Sequence, residues 1–139
     1  MDIRFAKMEG LGNDFIVLDD RNGKIREAFG YDELSKRLCS RHFGIGADGI
    51  ITIGESGPHD FRFTIFNSDG SRAQMCGNGM RCFAKYLYEN AITAKKELAV
   101  ETDAGTVIPK ILPDAGGQVE SVRVDMGEPV FDPDRIPFA

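Results

Sequence analysis

The chain has 139 residues, 42% hydrophobic and 28% charged, which suits one domain whose core can fold without disulfides or metals. Its net charge of −5 argues against a nucleic-acid partner gripped through phosphates, and no apolar run approaches the length of a membrane span. The start, Met1-Asp2-Ile3-Arg4-Phe5, lacks the pattern of a signal peptide, and three cysteines make no paired framework, so a reducing, cytoplasmic setting is expected.

Residues 2–9 and 14–18 read as two strands around Gly10-Leu11-Gly12-Asn13-Asp14. Asp19-Asp20-Arg21-Asn22-Gly23 reads as a turn. A helix is predicted over 32–42, with Leu34, Leu38 and Cys39 at core spacing, Asp32 and Glu33 in its first turn, Arg41 in its last, and Gly44 as its stop. Residues 50–53 and 61–66 read as strands. The polar turn Asn67-Ser68-Asp69-Gly70-Ser71 leads to Cys76-Gly77-Asn78-Gly79, which opens a helix running to about Asn90. Met80, Phe83, Leu87 and Ala91 form its apolar stripe, with Arg81, Lys85 and Glu89 opposite. Counting back four from Met80 lands on Cys76, which places that thiol at the tip of the apolar face, pointing inward. Residues 98–102, 106–111 and 121–126 read as strands, and 132–139 as a connector. Two helices among short, tightly joined strands favour an α+β fold.

Gly44-Ile45-Gly46-Ala47-Asp48-Gly49 matches the dinucleotide fingerprint G-x-G-x-x-G, but a helix precedes it and a strand follows, the reverse of the order that fingerprint needs. Its glycines read as a helix stop and a tight bend. A zinc set drawn from Cys39-Ser40-Arg41-His42 with Cys76 and Cys82 is disfavoured, because the spacing points the last two thiols in different directions.

Cys76 is the candidate for chemistry, although a lone cysteine also fits simple packing. The first turn of a helix has backbone N–H groups without internal partners and a partial positive charge, which favours a thiolate and can hold a carboxylate. Gly77 and Gly79 let that backbone approach a ligand. The combination suits removal of a proton from the carbon beside a carboxylate, with a base and a charge-stabilising group in one turn. Asn13, Asn67 and Asn78 are candidate orienting amides, although Asn13 and Asn67 also fit plain turn positions. Cys39 and Cys82 read as packing residues.

Three stretches carry a family resemblance. Lys7-Met8-Glu9-Gly10-Leu11-Gly12-Asn13-Asp14-Phe15, then Arg41-His42-Phe43-Gly44-Ile45-Gly46-Ala47-Asp48-Gly49, then Phe66-Asn67-Ser68-Asp69-Gly70-Ser71 with Met75-Cys76-Gly77-Asn78-Gly79-Met80-Arg81-Cys82-Phe83-Ala84, resemble in order the blocks of diaminopimelate epimerases. The resemblance implies a cofactor-independent enzyme that interconverts LL- and meso-diaminopimelate, for lysine and peptidoglycan precursors, with one thiolate base and one thiol acid across the α-carbon. Cys76 matches one of these cysteines. Asn13 and Asn67 match substrate-binding asparagines, and Gly77 and Asn78 match the backbone site for the reacting carboxylate. It also implies two α/β lobes, each a curved, barrel-like sheet around a central helix, with residues 1–139 as the amino-terminal lobe. Glu9 and Gly49 depart from some members and receive no role. The second cysteine block is expected beyond Ala139, so this chain alone is expected to be nearly inactive and to pair with a carboxy-terminal lobe or with its own copy. A proline-racemase-like lobe of the same fold and a non-catalytic interaction module are the competing readings.

Overall fold

A computed structural model describes residues 2–125. β1 (Ala6–Gly10) and β2 (Asn13–Asp19) form a hairpin across Leu11 and Gly12, whose φ angles of 51° and 88° give the left-handed turn that matches strand twist. Two helices follow, α1 (Lys24–Phe29) and α2 (Tyr31–Cys39). Next come β3 (Gly49–Gly54), β4 (Phe61–Asn67), the two-residue β5 (Arg72–Ala73) and the long helix α3 (Gly77–Glu89). β6 (Val100–Thr102), β7 (Gly105–Val107), β8 (Lys110–Pro113) and β9 (Val119–Arg123) complete the described chain.

The main sheet runs β1-β2-β3-β4-β6-β7, with β5 paired to β4. It is mixed: β2/β3 and β4/β6 are parallel, and the other pairs are antiparallel. The continuous apolar runs of β2 and β3 are explained by burial on both faces. Ile16, Leu18, Ile50 and Phe66 pack with Ile25, Leu34, Cys39 and Ala47 on the α1/α2 side. Phe15, Val17, Ile51, Ile53, Phe63 and Ile65 face α3, meeting Met80, Phe83, Ala84 and Leu87. Phe63 and Phe83 meet edge to face at 5.3 Å. The β8–β9 hairpin covers another side of α3: Ile111 and Val122 join the same core, and Arg81 Nε donates to the Val122 carbonyl at 3.3 Å.

The fold is therefore α+β with a central helix, as expected, but the described residues form an open sheet and a separate hairpin rather than a closed barrel. The expected strand over 106–111 is divided between β7 and β8, around Ile108 and the buried Pro109, which has no N–H to give a ladder. Segment 96–98 reconnects the two pieces, with Leu98 N–H donating to Pro109 O and Ile111 N–H to Lys96 O.

Two further differences are local. The helix expected over 32–42 ends at Cys39, because the chain turns back so that Gly46 N–H reaches Leu38 O and Ala47 N–H reaches Cys39 O. Arg41 thereby leaves the helix for a loop. Helix α1 is too short to show a period in sequence. The buried Asp20 carboxylate organises it by accepting from Ile25 N–H at 2.9 Å, Arg26 N–H at 3.0 Å and the Tyr31 hydroxyl. Ala91 lies past the end of α3, exposed, with φ 56°. Met126 and the expected connector over 132–139 fall outside the described residues.

Gly44 is not the expected helix stop, since α2 is already capped at Ser40, and two glycines of the discarded fingerprint serve close packing instead. A Cβ at Gly44 would sit 2.3 Å from Arg37 O, and one at Gly49 would sit 2.6 Å from Phe66 O. Both are close backbone approaches where only hydrogen fits.

Candidate active site

One end of the sheet gathers the candidate residues. β2 begins at Asn13, β3 begins at Gly49 and β4 ends at Asn67. The register Phe15↔Gly49 and Gly49↔Asn67 puts these termini side by side. The amino terminus of α3 lies at the same end. Gly79 packs on the sheet, its Cβ position only 3.3 Å from Ile51 Cδ1 and 3.4 Å from Ile65 Cδ1. Asn78 lies against Gly10 at the end of β1, 3.5 Å from that glycine's Cβ position.

Cys76 is the N-cap of α3, in extended conformation with φ −144° and ψ 122°. Its sulfur accepts from Gly79 N–H at 3.4 Å, and its carbonyl accepts from Met80 N–H at 2.8 Å in the first intrahelical bond. The N–H groups of Gly77 and Asn78 precede that bond and are the helix's orphan donors. A half-buried thiol and two such donors therefore share one turn. The helix is held in place by Met80, Phe83 and Leu87, all 0% exposed. Asn78 Oδ1 accepts from Arg81 Nη1 at a long 3.5 Å.

The other thiols differ from Cys76. Cys39 is 3% exposed in the α2-side core, and burial pushes its thiol up to about 11. Cys82 is 4% exposed on the α3 side, and burial pushes it up first, with the nearby Cys76 adding to this. The sheet thus separates Cys39 from Cys76 and Cys82, which removes the geometric basis of the zinc set. Among the described residues no three His, Cys, Asp or Glu side chains gather as a metal site, and no helix is long and apolar enough to cross a membrane.

Asn13 and Asn67 both have exposed side chains. Asn67 Nδ2 donates to Ser71 Oγ at 2.9 Å, and its N–H donates to Ser71 O at 2.7 Å, which shapes the turn after β4. Beside these asparagines lies a cluster that the sequence did not reveal. Asp14 takes a two-pronged contact from Arg41 at 3.0 and 3.1 Å, and Arg41 also reaches Asp48 Oδ1 at 3.2 Å. Lys7 Nζ lies 3.3 Å from Asp14. The Arg41 guanidinium, aided by Asp48 and Lys7 contacts and opposed by desolvation, holds the Asp14 carboxyl well below the usual carboxylate range. Arg41 and Asp48 are 27 and 34 residues from Asp14. The only sequence signal for the cluster was an aspartate directly after Asn13 and another directly before Gly49.

The architecture defines the class as an α+β fold built on a mixed sheet and one long helix, with a cysteine capping that helix. A solved hydroxyproline epimerase from Agrobacterium vitis superposes with a TM-score of 0.63 at 14% identity, over 86% of this chain and 40% of that one, which is a likeness of fold. The family model for diaminopimelate epimerase matches residues 5–131, and the chain belongs to the diaminopimelate epimerase family. The diaminopimelate epimerase of Desulforapulum autotrophicum is 59% identical over 138 residues, 99% of this chain and 49% of that protein. That of Caldanaerobacter subterraneus subsp. tengcongensis is 50% identical over 135 residues, 97% of this chain and 47% of that protein. The chain spans about half the length of the curated relatives it matches.

Proposed function

We propose that this chain is the amino-terminal lobe of a diaminopimelate epimerase and supplies one of its two acid/base thiols, Cys76, without a cofactor. The observation that carries the reading is the single turn holding a half-buried thiol beside the orphan N–H groups of Gly77 and Asn78. The α-proton of an amino acid is removed only if charge spreading onto the carboxylate is stabilised as the base pulls. The two N–H groups and the positive end of α3 would hold that carboxylate, while the Cys76 thiolate takes the proton from one face. Asn13 and Asn67, on the adjoining strand ends, would orient the rest of the substrate as neutral amides. Inversion needs a second thiol to deliver a proton on the opposite face, and a carboxy-terminal lobe would supply it. Alone, the chain would return hydrogen to the face from which it was taken.

The test is incubation of the chain with LL-diaminopimelate in D₂O. Slow α-deuterium incorporation without net epimerisation is expected, and Cys76→Ala abolishes it. Undiminished exchange in Cys76→Ala overturns the assignment.

A further inference from the structure

We propose that Arg41 is a positioning residue: through Asp14 and Asp48 it clamps together the strand ends that carry Asn13 and Asn67, and so sets the separation of the two substrate-orienting amides. This rests on the reading of Asn13 and Asn67 given above.

Neither asparagine is packed in the core, since both are exposed, and the Asn67 side chain is tied to Ser71 Oγ of its own turn. Their placement depends on the backbone that carries them, and that backbone converges on Asp48. Asp48 N–H donates to Asp14 O at 2.9 Å and to Asp14 Oδ1 at 3.1 Å. Asp48 Oδ2 accepts from Asp14 N–H at 3.0 Å, and Asp48 O accepts from Ser68 N–H at 3.0 Å. Asp48 therefore binds the residue after Asn13 and the residue after Asn67 at once. The arrangement brings two carboxylates together, and like charges so placed repel. Arg41 neutralises them: its guanidinium takes both Asp14 oxygens, and Nη2 also reaches Asp48. Lys7, the other cation here, contacts Asp14 from β1. The base of Arg41 packs against its own loop, where a Cβ on Gly46 would come within 3.2 Å of Arg41 Cα, while the side chain is 55% exposed. Losing the guanidinium leaves two facing carboxylates to push apart the ends of β2, β3 and β4. Gly77 and Asn78 respond less, because α3 is anchored mainly through its own buried face, although Asn78 also touches the end of β1 at Gly10.

That contrast separates positioning from general stability. The chain is labelled so that backbone and asparagine side-chain amides are followed by NMR while LL-diaminopimelate is added. In parallel, the concentration that half-protects Cys76 from iodoacetamide is measured against each variant's own unprotected rate. In Arg41→Ala the ligand-induced shifts at the Asn13 and Asn67 side chains are lost while those at the Gly77 and Asn78 backbone persist. The half-protecting concentration rises about tenfold, as expected for losing one or two polar contacts. Arg41→Lys recovers part of the loss, since an ammonium restores charge without the two-pronged geometry. If Arg41→Ala fails to fold, Arg41→Lys and Asp14→Asn carry the same comparison, and each shows the selective loss at Asn13 and Asn67. Protection and shifts equal to wild type in the folded variants, or equal loss at all four residues, overturn the positioning role alone. Absence of protection in the wild-type chain overturns the substrate reading, and this inference with it.

Discussion

Replacing Gly49 with alanine tests how the sheet end supports the site. The new Cβ would lie 2.6 Å from the Phe66 carbonyl oxygen, on the neighbouring strand β4. A carbon–oxygen contact needs roughly 3.3 Å, so β3 and β4 must part there by about 0.7 Å. That oxygen belongs to backbone, which cannot swing aside as a side chain could. Prising open the terminal Gly49–Asn67 pair removes about one backbone hydrogen bond, a net loss of about 1 kcal/mol. Overpacking of the buried site adds about 1–3 kcal/mol. The sum of about 2–4 kcal/mol lowers the melting temperature of a chain this size by roughly 7–14 °C. Because Asn67 is the pairing partner, ligand protection of Cys76 weakens as well. Thermal melting followed by circular dichroism measures the first effect and alkylation the second. A Gly49→Ala chain that melts within about 2 °C of wild type would refute the close-approach argument.

Cys76→Ser separates chemistry from capping. A serine oxygen accepts the Gly79 N–H better than sulfur does, so stability is unchanged or rises by up to about 1 kcal/mol. Deuterium exchange falls at least about 100-fold, because a hydroxyl is a far poorer proton carrier, and wild-type exchange in the serine variant contradicts this. Iodoacetamide at pH 8 should modify the folded chain once, at Cys76, and a second adduct forming at a similar rate would contradict the burial of Cys39 and Cys82. Cys39 also confers a pH dependence. The fold raises its pKa, so its contribution is complete below the ordinary thiol value of about 8.5 and is lost as pH rises from there through about 11. The difference in urea midpoint between wild type and Cys39→Ala should narrow over that window, and a constant difference would count against it. Asp20→Ala strands two backbone donors and the Tyr31 hydroxyl at the start of α1, costing about 2–3 kcal/mol in urea unfolding, and a loss under about 0.5 kcal/mol would refute the capping role.

Much of this was legible in the chain itself. The stripe Met80, Phe83 and Leu87 placed α3, and counting back one turn placed Cys76 at its start, because helical period is a local property. The apolar runs of β2 and β3 were equally plain, although sequence alone does not say that both faces are covered. What escaped is non-local or too short to show a period. β5 has two residues, α1 has six, and α1 is organised by a carboxylate upstream of it. The break of the expected strand at Ile108 and Pro109 was written in a proline, yet its consequence, an open sheet, depends on how distant segments pair. The Arg41 clamp depends on the loop between α2 and β3 meeting the start of β2, and its residues look like ordinary surface charges until they do.

A crystal of the chain soaked with LL-diaminopimelate examines the central claim most directly. The account predicts one α-carboxylate on the N–H groups of Gly77 and Asn78, with the attached α-carbon about 3–3.5 Å from Cys76 Sγ. A ligand bound away from the start of α3, or one that turns its side chain rather than its α-carbon toward that sulfur, would contradict it.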